Sequence, residues 1–172
     1  MQDGAVTRAF TFPGQGAQTV GMGTELAEAY PAARRVFEAV DEALGERLSR
    51  LIREGPQDEL TLTANAQPAL MATSMAAMAA LESEGVTVEA AAFVAGHSLG
   101  EYSALCAARA LALGDTARGR VGLGELRSHA DRLRPLSREG EGAPECSVLH
   151  GRRTPGPAGN VKAGLAACIG PC

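Results

Sequence analysis

The stretch from Ala91 to Leu105 constrains this chain more than any other. An apolar run, Ala91-Ala92-Phe93-Val94-Ala95, leads into Gly96-His97-Ser98-Leu99-Gly100, and a segment of helical character follows. That order predicts strand, sharp turn and helix, with a serine at the turn. Such a turn strains the serine backbone, and small flanking residues let the chain fold tightly. Ser98 then stands at a helix N-terminus, where backbone N–H groups point outward. A hydroxyl placed there can attack a carbonyl while those N–H groups hold the oxyanion that forms. The bare glycine-serine pattern also fits a plain structural turn, so its surroundings decide its meaning. His97 sits beside Ser98 in sequence, and a sharp turn sends adjacent side chains apart. It reads as a packing or hydrogen-bonding residue, not as the general base.

The surroundings are those of an α/β protein. Arg8 to Phe12 alternate weakly and predict a short strand that ends at Pro13. Gly14-Gln15-Gly16-Ala17-Gln18 follows, a glycine-rich loop that lacks both the dinucleotide spacing and a Gly-Lys-Ser/Thr phosphate motif. Pro31 opens a helix whose apolar stripe is Val36, Phe37, Val40 and Leu44, and Gly45 interrupts it. Leu48, Leu51 and Ile52 continue as a short helix that stops at Gly55-Pro56. Thr61 to Asn65 reads as a polar connection. Pro68 reads as the start of a long helix to Glu84, with Leu70, Met71, Ser74, Met75, Met78 and Leu81 on one face and Gly85 after it. The strand Ala91–Ala95 is apolar enough to be buried in a parallel sheet. Helix follows from Glu101 to Leu111, and another from Asp115.

Composition narrows the partners. The 172 residues are 45% hydrophobic and 21% charged, enough for one ordinary domain with a core. A net charge of −4 gives no electrostatic ground for binding nucleic acid or an anionic membrane. No apolar run reaches membrane-spanning length and no signal-peptide pattern opens the chain, so a cytoplasmic protein is expected. Cys106, Cys146, Cys168 and Cys172 have neither zinc-ligand spacing nor the look of a disulfide framework.

Three motifs stand in order: Phe12-Pro13-Gly14-Gln15-Gly16-Ala17-Gln18, Gln67-Pro68-Ala69-Leu70, and Gly96-His97-Ser98-Leu99-Gly100-Glu101-Tyr102-Ser103-Ala104. Together they resemble the malonyl-CoA:acyl carrier protein transacylases, over residues 8–118. The resemblance implies the N-terminal part of an α/β-hydrolase-like large domain with a parallel sheet, without the family's ferredoxin-like small domain. It implies Ser98 as nucleophile, Gln15 and the Leu99 N–H as the oxyanion hole, and Gln67 beside the acyl pocket. Malonyl-CoA and acyl carrier protein are the implied partners, with no cofactor and no metal. Acyltransferase domains of polyketide synthases share these motifs. The early start of the match, with no synthase domain or linker before it, favours the stand-alone enzyme of fatty acid synthesis. A serine esterase would share the serine turn but would not predict the Gly-Gln-Gly-Ala-Gln loop. A non-catalytic fragment is the third alternative.

Beyond Arg118 the resemblance fails. All five methionines, all four phenylalanines and both tyrosines lie before residue 121, and three of the four cysteines lie after it. The tail, 119–172, has the composition expected from out-of-frame translation of GC-rich DNA. A natural short protein with a disordered tail is the competing account. Counting from Ser98 places the arginine that the family uses to pair the malonyl carboxylate at Leu123, which cannot do so. Arg120 and Arg127 lie outside the matching motif and take no role. No counterpart stands for the family's catalytic histidine, and His129 and His150 fall in unmatched sequence. The expectation is therefore an incomplete site with weak or no turnover, on a sheet left with an uncovered apolar side.

Overall fold

The computed structural model describes residues 8–91, 93–119 and the backbone of 166–169. Strand β1 (Ala9–Phe12) is followed by five helices: α1 (Thr24–Ala29), α2 (Pro31–Leu44), α3 (Leu48–Glu54), α4 (Gln57–Thr61) and α5 (Thr63–Ser83). A short 3-10 turn (Val88–Ala90) leads to β2 (Phe93–His97), α6 (Gly100–Ala107) and α7 (Leu113–Ala117). Strand β3 (Ala166–Ile169) closes the order. β2 is central: it runs parallel to β1, with Phe12 level with Gly96, and antiparallel to β3, with His97 level with Ala166. The parallel pair is the expected one, joined by a helical crossover. The antiparallel partner lies in the tail, whose other residues, Gly119 apart, fall outside those described.

α5 is the hub. Ala66, Ala69, Leu70, Met71, Ala72, Met75, Ala76, Met78 and Ala80 are buried around its circumference. A helix apolar on all sides must be wrapped by others, and α1, α2, α3, α4, α6 and α7 all pack on it. The longest contact is with α2, which turns Ala33, Phe37 and Val40 inward. α2 begins with Pro31 in its first turn and ends at Gly45, as the sequence predicts. At Gly45 the backbone turns left-handed, and the N–H groups of Gly45 and Glu46 return to the last helical carbonyls. Gly85 ends α5 in the same way: its N–H bonds Glu82 and that of Val86 bonds Leu81.

Several boundaries differ from expectation. α5 starts at Thr63, not Pro68, so Pro68 lies inside the helix and the supposed polar connection is helical apart from Leu62, which divides α4 from α5. The missing proline N–H leaves the Ala64 carbonyl without its helical donor, but Ala64 is exposed and water can satisfy it. Leu81, placed on the apolar face, is exposed. β2 lies two residues later than Ala91–Ala95, because an apolar run does not mark which of its residues pair. α6 stops at Ala107, not Leu111. Arg109, at φ 59, takes the left-handed position that glycine usually fills, and the Ala110 N–H bonds the Leu105 carbonyl.

Among the described residues, side chains cover the sheet on one face. Phe12, Val94 and Gly96 are buried beneath the helices, whereas Ala9, Thr11, Phe93 and His97 are exposed. Phe93 keeps 45% of its surface accessible.

Candidate active site

β1 and β2 are parallel and end level with each other. Their next residues, Pro13-Gly14-Gln15 and Ser98-Leu99, therefore leave the same end of the sheet side by side. Open parallel sheets bind ligands at this end.

Ser98 is held at φ 54, in the left-handed region that non-glycine residues rarely occupy. This is the strained turn that the sequence predicts. Its neighbours show why glycines flank it. A Cβ on Gly96 would overlap the Gly100 carbonyl, and one on Gly100 would overlap the Phe12 carbonyl. A Cβ on Gly14 would come within 2.6 Å of the His97 carbonyl oxygen and 2.8 Å of its Nδ1. Thus β1, β2 and α6 meet backbone to backbone around the serine.

The first bonds of α6 run from the Glu101 N–H to the Ser98 carbonyl and from the Tyr102 N–H to the Leu99 carbonyl. The N–H groups of Leu99 and Gly100 lie ahead of that ladder, at the positive end of the helix. Ser98 is exposed above them. His97 is also exposed, with its ring beside Gly14.

A cleft of about 540 Å³ opens at Ser98. One wall is the start of α5, with Ala64, Gln67, Pro68 and Met71. The other comprises Ser98, Leu99, Glu101 and Tyr102, and the end of α7 with Thr116 to Gly119 completes it. Ser98, Leu99 and Gln67 are thus brought together. Gln15 is not on the cleft wall: its Nε2 donates to Thr63 Oγ1 at 3.1 Å, one turn before Gln67. Leu123, Arg120, Arg127, His129 and His150 lie outside the described residues.

Sequence reasoning missed two participants. Arg118 is the one cation on the cleft wall among the described residues. Its Nε donates to the Ala43 carbonyl at 2.9 Å and its Nη1 to Asp115 at 3.0 Å. Thr63 is the second, and no local pattern marks it, because its partner is 48 positions away. Cys106 lies behind the site on α6, where burial pushes its thiol up to about 11 and a hydrogen bond with Thr116 opposes the shift only in part. It is a neutral packing group at ordinary pH.

Residues 9–134 match the family described as the acyl transferase domain. The chain belongs to this acyl transferase family. Within it, the chain is 57% identical over 107 residues to the malonyl CoA-acyl carrier protein transacylase of Bacillus subtilis, covering 62% of this chain and 33% of that one. To the Escherichia coli K12 transacylase it is 44% identical over 110 residues, covering 64% and 35%. Among solved acyl transferases, the acyl-carrier-protein S-malonyltransferase of Bartonella henselae superimposes with a TM-score of 0.64 at 59% identity, over 74% of this chain and 40% of that one. A malonyl-transacylase solved in complex with a type II polyketide acyl-carrier protein gives 0.62 at 38% identity, over 73% and 38%. The chain spans about a third of the length of these curated acyl transferase relatives. No helix among the described residues is long and apolar enough to cross a membrane.

Proposed function

We propose that the chain carries the nucleophile side of a malonyl-CoA:acyl carrier protein transacylase site, acting in the cytoplasm in fatty acid synthesis. One observation carries the reading: Ser98, in a left-handed turn at the head of α6, shares a cleft with Gln67. We assign the acyltransferase unit to residues 8–118 and treat 119–172 as a tail, although the family match runs on to residue 134 and Ala166–Ile169 pairs with β2.

Ser98 Oγ adds to the thioester carbonyl of malonyl-CoA and gives up its proton. The carbonyl oxygen becomes an oxyanion, met by the Leu99 N–H; Gln15, held beside the cleft by Thr63 rather than on its wall, is assigned as the second donor and must turn towards the oxyanion to serve. A donor fixed before the reaction, such as the Leu99 N–H, stabilises that charge at no reorganisation cost. The carbon–sulfur bond then breaks, coenzyme A leaves, and malonyl remains as an ester on Ser98. The phosphopantetheine thiol of acyl carrier protein attacks this ester, and Ser98 recovers its proton. Gln67, on the opposite wall, contacts the acyl group. The steps need no cofactor. The proton acceptor in such sites is ordinarily an imidazole. Among the described residues the one histidine is His97, which we assign to packing against Gly14, so acylation is expected to be slow.

Incubation of the 172-residue chain with radiolabelled malonyl-CoA tests the reading. Label should appear on the Ser98 peptide, move to added acyl carrier protein, and be absent from Ser98→Ala. Release of label as free malonate would favour an esterase instead. Equal labelling of the alanine variant would refute the assignment.

A further inference from the structure

The loop between β1 and α1 carries Gln15 yet has no regular structure. A backbone bond from the Gly21 N–H to the Ile52 carbonyl, 2.7 Å, anchors its far end, and side chains hold the section around Gln15, the outer ones from the corner between α4 and α5. Gln57 on α4 accepts the Val20 N–H at 2.9 Å and donates to the Gln18 carbonyl at 3.3 Å. Gln57 is itself tied to Thr61. Gln18, buried, folds back to accept the Gly16 N–H at 2.8 Å. Thr63, the first residue of α5, accepts from Gln15. The chain of bonds therefore grips the loop at both ends of its glutamine-rich section. The next turn of α5 forms the cleft wall through Ala64, Gln67 and Pro68.

We propose that Gln57 and Thr63 are positioning residues: they fix the Gln15 loop against the cleft wall, and so fix the oxyanion donor relative to Ser98. This rests on the nucleophile reading above. Ser98 is rigidly placed by backbone contacts, whereas the section from Gln15 to Val20 is held by side chains that can be removed singly. Misplaced donors reduce transition-state stabilisation more than substrate binding. Loss of one such hydrogen bond should slow acylation about tenfold.

Thr63→Val removes the acceptor while keeping the side-chain shape, and Thr63→Ser keeps the acceptor. Gln57→Leu removes both contacts to the loop. The probe is p-nitrophenyl acetate, whose acyl group needs no carboxylate partner, and acyl-Ser98 is followed by mass. Amide hydrogen exchange reports the loop, and unchanged exchange in α5 confirms that each variant is folded. Thr63→Val and Gln57→Leu should each slow acylation about tenfold with little change in half-saturation, while Thr63→Ser retains the rate. Exchange at Gly16 to Val20 should quicken in the slowed variants alone. Wild-type exchange in those variants would overturn the proposal. Faster exchange with unchanged acylation would also overturn it, leaving Ser98 as nucleophile intact. If the unmodified chain forms no acyl-Ser98, the nucleophile reading fails and the proposal falls with it.

Discussion

Replacing Gly96 by alanine puts a methyl group where the backbone of α6 already lies. The obstruction is the Gly100 carbonyl and the Glu101 nitrogen, neither of which can swing aside as a side chain can. Ordinary contact needs about 3.5 Å, so α6 must retreat from β2 by more than about 1 Å. That retreat also loosens Ala104 and Ala107 from the core they share with Phe12 and Val94. Overpacking ordinarily costs about 1–3 kcal/mol, and obstruction by backbone belongs at the upper end. With a urea slope near 2 kcal/mol per molar, a loss of about 3 kcal/mol lowers the unfolding midpoint by roughly 1.5 M. Gly85→Ala is the matched control. Its φ is +81 and nothing lies within 4 Å of the added Cβ, so it costs only the left-handed backbone, about 1 kcal/mol. Urea melts of both variants and the unmodified chain, followed by far-UV circular dichroism, compare them directly. A midpoint for Gly96→Ala no lower than that for Gly85→Ala would refute the reasoning, because close approach to α6 would then not be what requires the glycine.

Ser98→Gly should stabilise the chain by about 0.5–1 kcal/mol in the same melts while abolishing acylation, because glycine accepts φ 54 without strain. Asp41→Ala should cost about 1–2 kcal/mol by thermal melting. Its carboxylate accepts both the N–H and the hydroxyl of Ser49, at 2.8 and 2.5 Å, capping the first turn of α3 from the end of α2. Asp41→Asn, which keeps an acceptor, should lose less. Folding raises the Cys106 thiol from about 9.0 to about 11, so the unfolded chain ionises first. Stability from this group is therefore complete below about pH 9 and declines towards pH 11, and Cys106→Ala should flatten that decline in melts across the range.

The legible parts of the sequence were those whose signals are local. Pro31 and Gly45 marked α2 because a proline fits a first turn and a glycine fits a left-handed end. The turn at Ser98 was legible for the same reason: its glycines answer a steric demand within a few residues. Pro68 misled because a proline also survives inside a helix where the orphaned carbonyl meets water. The end of α6 was hidden because Arg109, not a glycine, takes the left-handed turn. The cleft was half legible. Gln67 and Ser98 carried motifs, but Thr63 is placed by a partner 48 positions away, and Arg118 is held against Ala43, 75 positions away, as well as by its neighbour Asp115. Such distant contacts leave no periodicity or spacing to read.

The contacts among Gly14, Gly96 and Gly100 bear on motion as well as shape. With no side chain between them, the ends of β1 and β2 and the start of α6 have nothing soft to absorb a displacement. A shift at Gly14 is passed to the His97 carbonyl, and through the next peptide bond to Ser98. The serine and the head of its helix therefore move as one body during thermal breathing, and their mutual geometry is the least disturbed in the cleft. Variation in reactivity between related chains should accordingly arise at the rim, where side chains intervene, and not at the serine turn itself.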